Sequence, residues 1–175
     1  MSKKTIINFV LFQLSWFACV MGAAKQMPWL GVMVTIVIVT WHLNQAKQAK
    51  PEIILLLIAV VIGAAFDQIM VTSNLITYQA HGWSDALAPA WILALWAGFA
   101  TVLNVNLRWM RNKWWVMVLF GAIGGPLAYM GAEKLGAVAL NSMPASYAAL
   151  SLGWAILTPL LIYLSQKFDG FKTHV

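Results

Sequence analysis

Charge is what this sequence lacks most. Only 9% of its 175 residues are Asp, Glu, Lys or Arg, against about 25% in soluble domains, so its surface is not built for water. Acids are scarcest, five against eleven Lys and Arg. The one cysteine, Cys19, excludes an internal disulfide and, inside an apolar segment, reads as a small packing residue. No G-x-S-x-G elbow, H-E-x-x-H helix or P-loop is present. His42, His81 and His174 are too scattered for a metal site, so neither metal nor cofactor is expected. Stretches of about ten residues alternating in polarity, the mark of a membrane barrel, are also missing. So are the paired broken helices of inverted-repeat transporters.

What is present is apolar sequence: 62% hydrophobic residues and a mean hydropathy of +0.79. Several runs approach the roughly 20 residues that cross a bilayer. The expectation is an all-α polytopic membrane protein, one transmembrane domain over 1–175. Its six spans fall at about 5–24, 28–44, 52–73, 87–107, 114–132 and 145–166. The first resembles a signal peptide, with Lys3 and Lys4, an apolar core and Gly22-Ala23-Ala24. Asn8 and Gln13 interrupt that core and a second span follows almost at once, so it reads as the first helix. Pro28 and Pro51 suit helix starts. The connection after Asn74, through Tyr78, His81, Trp83 and Asp85, is expected to lie in the interface, and 133–144 reads as a short link.

Six spans sort the bases. Lys3, Lys4, Lys47, Lys50, Arg108, Arg111, Lys113, Lys167 and Lys172 fall on one side, and only Lys25 and Lys134 on the other. That bias predicts that both termini are cytoplasmic. The net charge of +6 is thereby assigned to topology and anionic headgroups, and no nucleic-acid partner is expected. Trp29, Trp41, Trp83, Trp91, Trp109, Trp114 and Trp115 fall near span ends, as an aromatic belt requires. Trp16, Trp96 and Trp154 fall near mid-depth, as bulky packing or as the lining of a cavity.

Within this apolar background Asp67 stands out as the acid inside a long hydrophobic segment. An ionisable group there costs about 2.5–3.5 kcal/mol on insertion scales, so it needs partners or a task. Topology puts it in the outer half with Gln68, Lys25, Tyr129, Glu133 and His81, around which an outward polar pocket with Trp96 can form. The structural alternative is Asp67 bonded to Lys25, Tyr129 or a backbone group. His42 reads as an interfacial residue. Asn8, Asn104 and Arg108 form a second polar group at the cytoplasmic end. Small and polar residues at helical spacing mark packing faces: Asn8, Ser15 and Gly22; Ala59, Gly63 and Asp67; Ala90, Ala94, Ala97 and Thr101; Gly121, Gly124, Ala128 and Gly131. Gly124-Gly125-Pro126 is expected to break or kink its helix and expose carbonyls.

An ordered set of short motifs runs through these spans. They are Asn8-x4-Gln13-x2-Trp16-Phe17, Gly63-x3-Asp67, Trp91-x4-Trp96-x2-Phe99 and Gly125-Pro126-x2-Tyr129-x-Gly131, with Gly136 beyond. Together they resemble an uncharacterised bacterial inner-membrane family, domain of unknown function 2878, over nearly the whole chain. The resemblance implies a short multi-pass protein with no assigned catalytic residues. Genes of such families often lie near fatty-acid modification enzymes, which implies a lipid-related role. Three functions are therefore expected: binding or transport of a lipid or other amphiphile at Asp67, a membrane-embedded lipid hydrolase or isomerase, or a non-catalytic anchor for soluble fatty-acid-modifying enzymes. Membrane lipids, and in the last case those enzymes, are the expected partners.

Overall fold

Backbone polar groups surrounded by apolar matter are satisfied most simply inside a helix, and the apolar runs fold accordingly. The computed structural model describes residues 3–172; His174 lies outside them. The helices are α1 (Lys3–Ala24), α2 (Pro28–Gln45), α3 (Ala49–Thr72), α4 (Ala90–Leu103), α5 (Trp114–Lys134) and α6 (Met143–Lys167). A two-stranded sheet joins β1 (Ile76–Tyr78) to β2 (Val138–Leu140), and a 3-10 turn covers Arg108–Met110. Four helices, α1, α3, α5 and α6, are long and apolar enough to cross a membrane.

The α1–α2 turn closes tightly. Gln26 adopts φ 59° while Gln26 N–H bonds Ala23 O and Met27 N–H bonds Gly22 O, a Schellman-type end after which Pro28 opens the next helix. Successive helices run antiparallel, so the α1 start, the α2–α3 and α4–α5 links and the tail after α6 share one end of the bundle. That end holds the nine bases grouped above and is called the basic end; Lys25 and Lys134 lie at the far end.

Helix α4 is shorter than the expected 87–107. Pro89 precedes its first turn, and at the other end Val102 O receives the N–H groups of Asn106 and Leu107, winding the chain into the 3-10 turn. Fourteen residues rise only about 21 Å, yet ten of them are buried. The helix is central rather than peripheral: α1, α2 and α3 all pack on it. Helices α5 and α6 pair with each other, and α6 also meets α3 and α4. The small-residue stripe of α1 is in contact as expected, with Ser15 Oγ 2.7 Å from Thr35 Oγ1.

The connection after Asn74 carries a strand: β1 pairs antiparallel with β2, Ile76 opposite Leu140 and Tyr78 opposite Val138, which fixes it across the far end. Two expectations are corrected here. Trp91 is no belt residue, being fully buried with its indole N–H on Gln79 O at 3.0 Å. Finally, α5 runs unbroken through Pro126. Proline removes the N–H that would bond Ala122 O four residues back, and Ser151 Oγ of α6 bonds that carbonyl instead at 2.9 Å. A neighbouring hydroxyl is a usual way for apolar helices to tolerate an internal proline.

Candidate functional site

Helix α3 buries one stripe, Glu52, Leu56, Ala59, Gly63, Asp67 and Met70, at the three- and four-residue spacing of a helix face. Its small members admit α4: a Cβ at Gly63 would run into the Trp96 ring. One turn on, Asp67 is 0% exposed and receives three hydrogen bonds. Trp96 Nε1–H donates to Oδ2 at 2.6 Å, Tyr78 O–H to Oδ1 at 2.5 Å, and Tyr129 O–H also to Oδ1. The donors come from α4, β1 and α5, so one carboxylate gathers three elements distant in sequence. Three hydrogen bonds to one carboxyl group offset part of the cost of burying it.

Beyond Trp96 the aromatic packing continues. Its ring stacks on Trp154 of α6, with centroids 4.8 Å apart and planes 10° from parallel, and Phe99 meets both edge-on. Against these rings lies a cavity of about 390 Å³ between α1, α4, α5 and α6. Trp16, Trp96 and Trp154, the three mid-depth tryptophans, all line it, as does Tyr129. Asp67 does not; it stands behind the wall that Tyr129 and Trp96 form. The lining holds no Lys, Arg, His, Asp or Glu. Trp154 Nε1 and Thr158 Oγ1 are buried without a hydrogen-bond partner. Such orphan groups cost about 1–3 kcal/mol each.

Of the residues expected around Asp67, Tyr129 and Trp96 touch it and the others do not. Gln68 accepts from Ala88 N–H and donates to Ala86 O, both at 2.9 Å, pinning the approach to α4. The His81 ring faces the carbonyls of Leu87 and Tyr78 at 2.8 and 3.2 Å, holding the turn after β1. Glu133 Oε1 accepts Leu140 N–H at 2.9 Å, an anchor for β2. Lys25 is exposed at the α1–α2 turn. Each is tied to backbone or faced outward by local geometry, so none is an Asp67 partner. Tyr78, the third donor, was missed because its three-residue strand has its partner sixty residues away.

A second buried carboxylate, Glu52, was also missed. It belongs to α3 and is 1% exposed, so Asp67 is not alone inside a long apolar helix. Glu52 Oε1 accepts Asn104 Nδ2–H at 2.6 Å and Gly170 N–H at 2.7 Å; Oε2 lies 2.9 Å from His42 Nε2. His42 is therefore buried and paired rather than interfacial, with Asn8 Nδ2 3.4 Å from its Nδ1. Arg111 donates to Asn104 Oδ1 at 2.5 Å and to Asp169 Oδ2 at 2.8 Å. Arg108 reaches both Asp169 oxygens at 2.7 Å. The expected group of Asn8, Asn104 and Arg108 does assemble, organised by two acids. A signal for Glu52 was available, since it falls on the same helical stripe as Asp67.

A bundle of apolar helices, four of them long and apolar enough to cross a membrane, points to a helical membrane protein. The family model described as "Protein of unknown function (DUF2878)" matches residues 5–160, and the chain belongs to that family. No curated protein and no solved structure matches it.

Proposed function

We propose that this protein is a six-span inner-membrane protein, with both termini cytoplasmic, that binds an amphiphile from the membrane in the aromatic cavity beside Asp67. The observation that carries the reading is where the cavity opens. Its lining includes Phe17 of α1 and Phe120 and Leu127 of α5, all exposed on the apolar outer surface, while α1 and α5 make no extensive contact with each other. A ligand dissolved in the bilayer has a lateral way in without crossing water. Inside, it meets aromatic rings and a few polar groups, the usual composition of a small-molecule site. In this reading Asp67 positions Tyr129 and Trp96 and does not touch the ligand.

Catalysis at the cavity is less favoured, because among the described residues Tyr129 is its only titratable lining residue and its O–H is engaged in a hydrogen bond to Asp67. An anchoring role for soluble lipid-modifying enzymes would rest on the basic end alone. The binding reading is tested by mass spectrometry of small molecules retained after purification in mild detergent. A Cβ at Gly124, on the cavity wall, would meet nothing within 4 Å, so Gly124→Leu adds bulk at the wall from a position whose Cβ has free space. A retained amphiphile in the native chain, lost in Gly124→Leu at unchanged Tm, is the expected result. Equal retention in both proteins refutes the site.

A further inference from the structure

Resting on that reading, we infer that the occupant is an uncharged amphiphile headed by a hydroxyl group, the class of long-chain alcohols and acylglycerols, and that Gln13 and Trp16 of α1 hold its head. What the cavity omits sets the charge. No Lys, Arg or His lines it, so a carboxylate or phosphate would be desolvated without a partner. No acid lines it either. Asp67 stands behind Tyr129 and Trp96 and already takes three hydrogen bonds, so an ammonium group finds no direct counter-ion.

Most polar groups of the wall are already engaged or closed off. Tyr129 O–H and Trp96 N–H are given to Asp67, and Trp91 N–H to Gln79 O. Trp154 Nε1 and Thr158 Oγ1 are buried beyond a ligand's reach. Gln13 and Trp16 differ from all of these. Both line the cavity, both are half-buried, and neither has a hydrogen-bond partner among the described residues. They lie three residues apart on α1, the spacing that puts two side chains on one helix face. Unpaired amide and indole groups in an apolar span are costly, and acyl chains offer them nothing.

These two side chains specify the head. The Gln13 amide offers donors and an acceptor, and the Trp16 indole a donor only. A hydroxyl accepts from an N–H and donates to the amide oxygen, so it serves both residues at once. A ketone or an ether only accepts and leaves the Gln13 oxygen unpaired. A hydrocarbon leaves every one of these groups unpaired. Phe12, Leu95 and Phe99 supply apolar lining for the chain, and the mouth between α1 and α5 lets its remainder extend among the lipids.

The test uses the full chain in mild detergent and four labelled probes that share one chain and differ only in the head: oleyl alcohol, oleyl sulfate, oleyltrimethylammonium and the matching hydrocarbon. The two charged heads are permanently ionised, so pH does not blur the comparison. Oleyl alcohol is expected to bind tightest. Gln13→Leu keeps the bulk and loses the amide, and is expected to weaken the alcohol about tenfold, the scale of one well-placed hydrogen bond, while leaving the hydrocarbon unchanged. Trp16→Phe keeps a ring, loses the N–H and is expected to act in the same direction, so it carries the test if Gln13→Leu fails to fold. An alcohol that binds no better than a charged probe or the hydrocarbon, or whose affinity is indifferent to both variants, overturns the assignment of class. Gly124→Leu separates the two levels. If it weakens whichever probe binds, the cavity stands and only the class is wrong; if it weakens none, the binding reading itself falls.

Discussion

Helix α3 carries two buried carboxylates fifteen residues apart, Asp67 and Glu52, and they are satisfied in opposite ways. Asp67 is held by three neutral aromatic donors, two phenols and an indole. Glu52 is held by an amide, an imidazole and a backbone N–H, with Arg111 and Arg108 one contact further out on Asn104. Aromatic donors bring large apolar bodies with them, so the Asp67 arrangement builds a wall, and a cavity lies on the far side of that wall. Short polar donors bring backbone. The Glu52 arrangement accordingly ties α1, α2, α3, the α4–α5 link and the tail into one clasp, with Lys47 and Gln48 N–H both on Gly170 O. A buried carboxylate on one helix face backs a cavity wall at one level and closes the fold at another.

The largest expected effect comes from removing the clasp. Glu52→Ala leaves the Asn104 amide, His42 and Gly170 N–H without their acceptor in a buried network, and the loss should be about 3–5 kcal/mol. Denaturant titration of the purified protein in detergent measures it. Asp67→Asn comes next, at about 1–3 kcal/mol: the amide keeps the shape but turns an NH2 toward a donor. A greater loss for Asp67→Asn than for Glu52→Ala would invert the comparison and make the aromatic wall the main structural support.

Tyr78→Phe removes one of the two phenols on Oδ1 while Tyr129 stays, so about 1 kcal/mol is expected, read as a modest fall in Tm with the cavity ligand retained. Ser151→Ala frees the Ala122 carbonyl beside Pro126. Interhelical hydrogen bonds in membranes average about 0.6 kcal/mol, and hydrogen exchange confined to the middle of α5 would detect the opening. Lys25→Ala is expected to leave both Tm and ligand retention unchanged. A clear drop in either would restore Lys25 to the Asp67 site.

Most helix positions were legible because a run of apolar residues has one economical backbone solution. The α1–α2 turn was legible because Pro28 suits the first turn of a helix. Tyr129 and Trp96 were readable as Asp67 neighbours from depth alone. Depth failed for Lys25, Glu133, His81 and Gln68, since residues at one level of a bundle can point in any direction and these are turned to local carbonyls, amides or solvent. Glu52 was hidden by its position: an acid just after Pro51 looks like the edge of a helix, although its stripe, continuing through Leu56, Ala59 and Gly63 to Asp67, runs inward.

The sequence by itself determined the helical class, the alternation of the helices and the gathering of the bases at one end, because these follow from hydrophobic length and local turn chemistry. Only the tertiary structure decided which groups satisfy each buried acid. It also decided that β1 and β2 pair across the far end, that α4 is short and central, and that the mid-depth tryptophans enclose a cavity. Those outcomes depend on how helices rotate and approach one another. That is set by small residues such as Gly63 meeting large ones such as Trp96 on a different helix, contacts that no local pattern encodes.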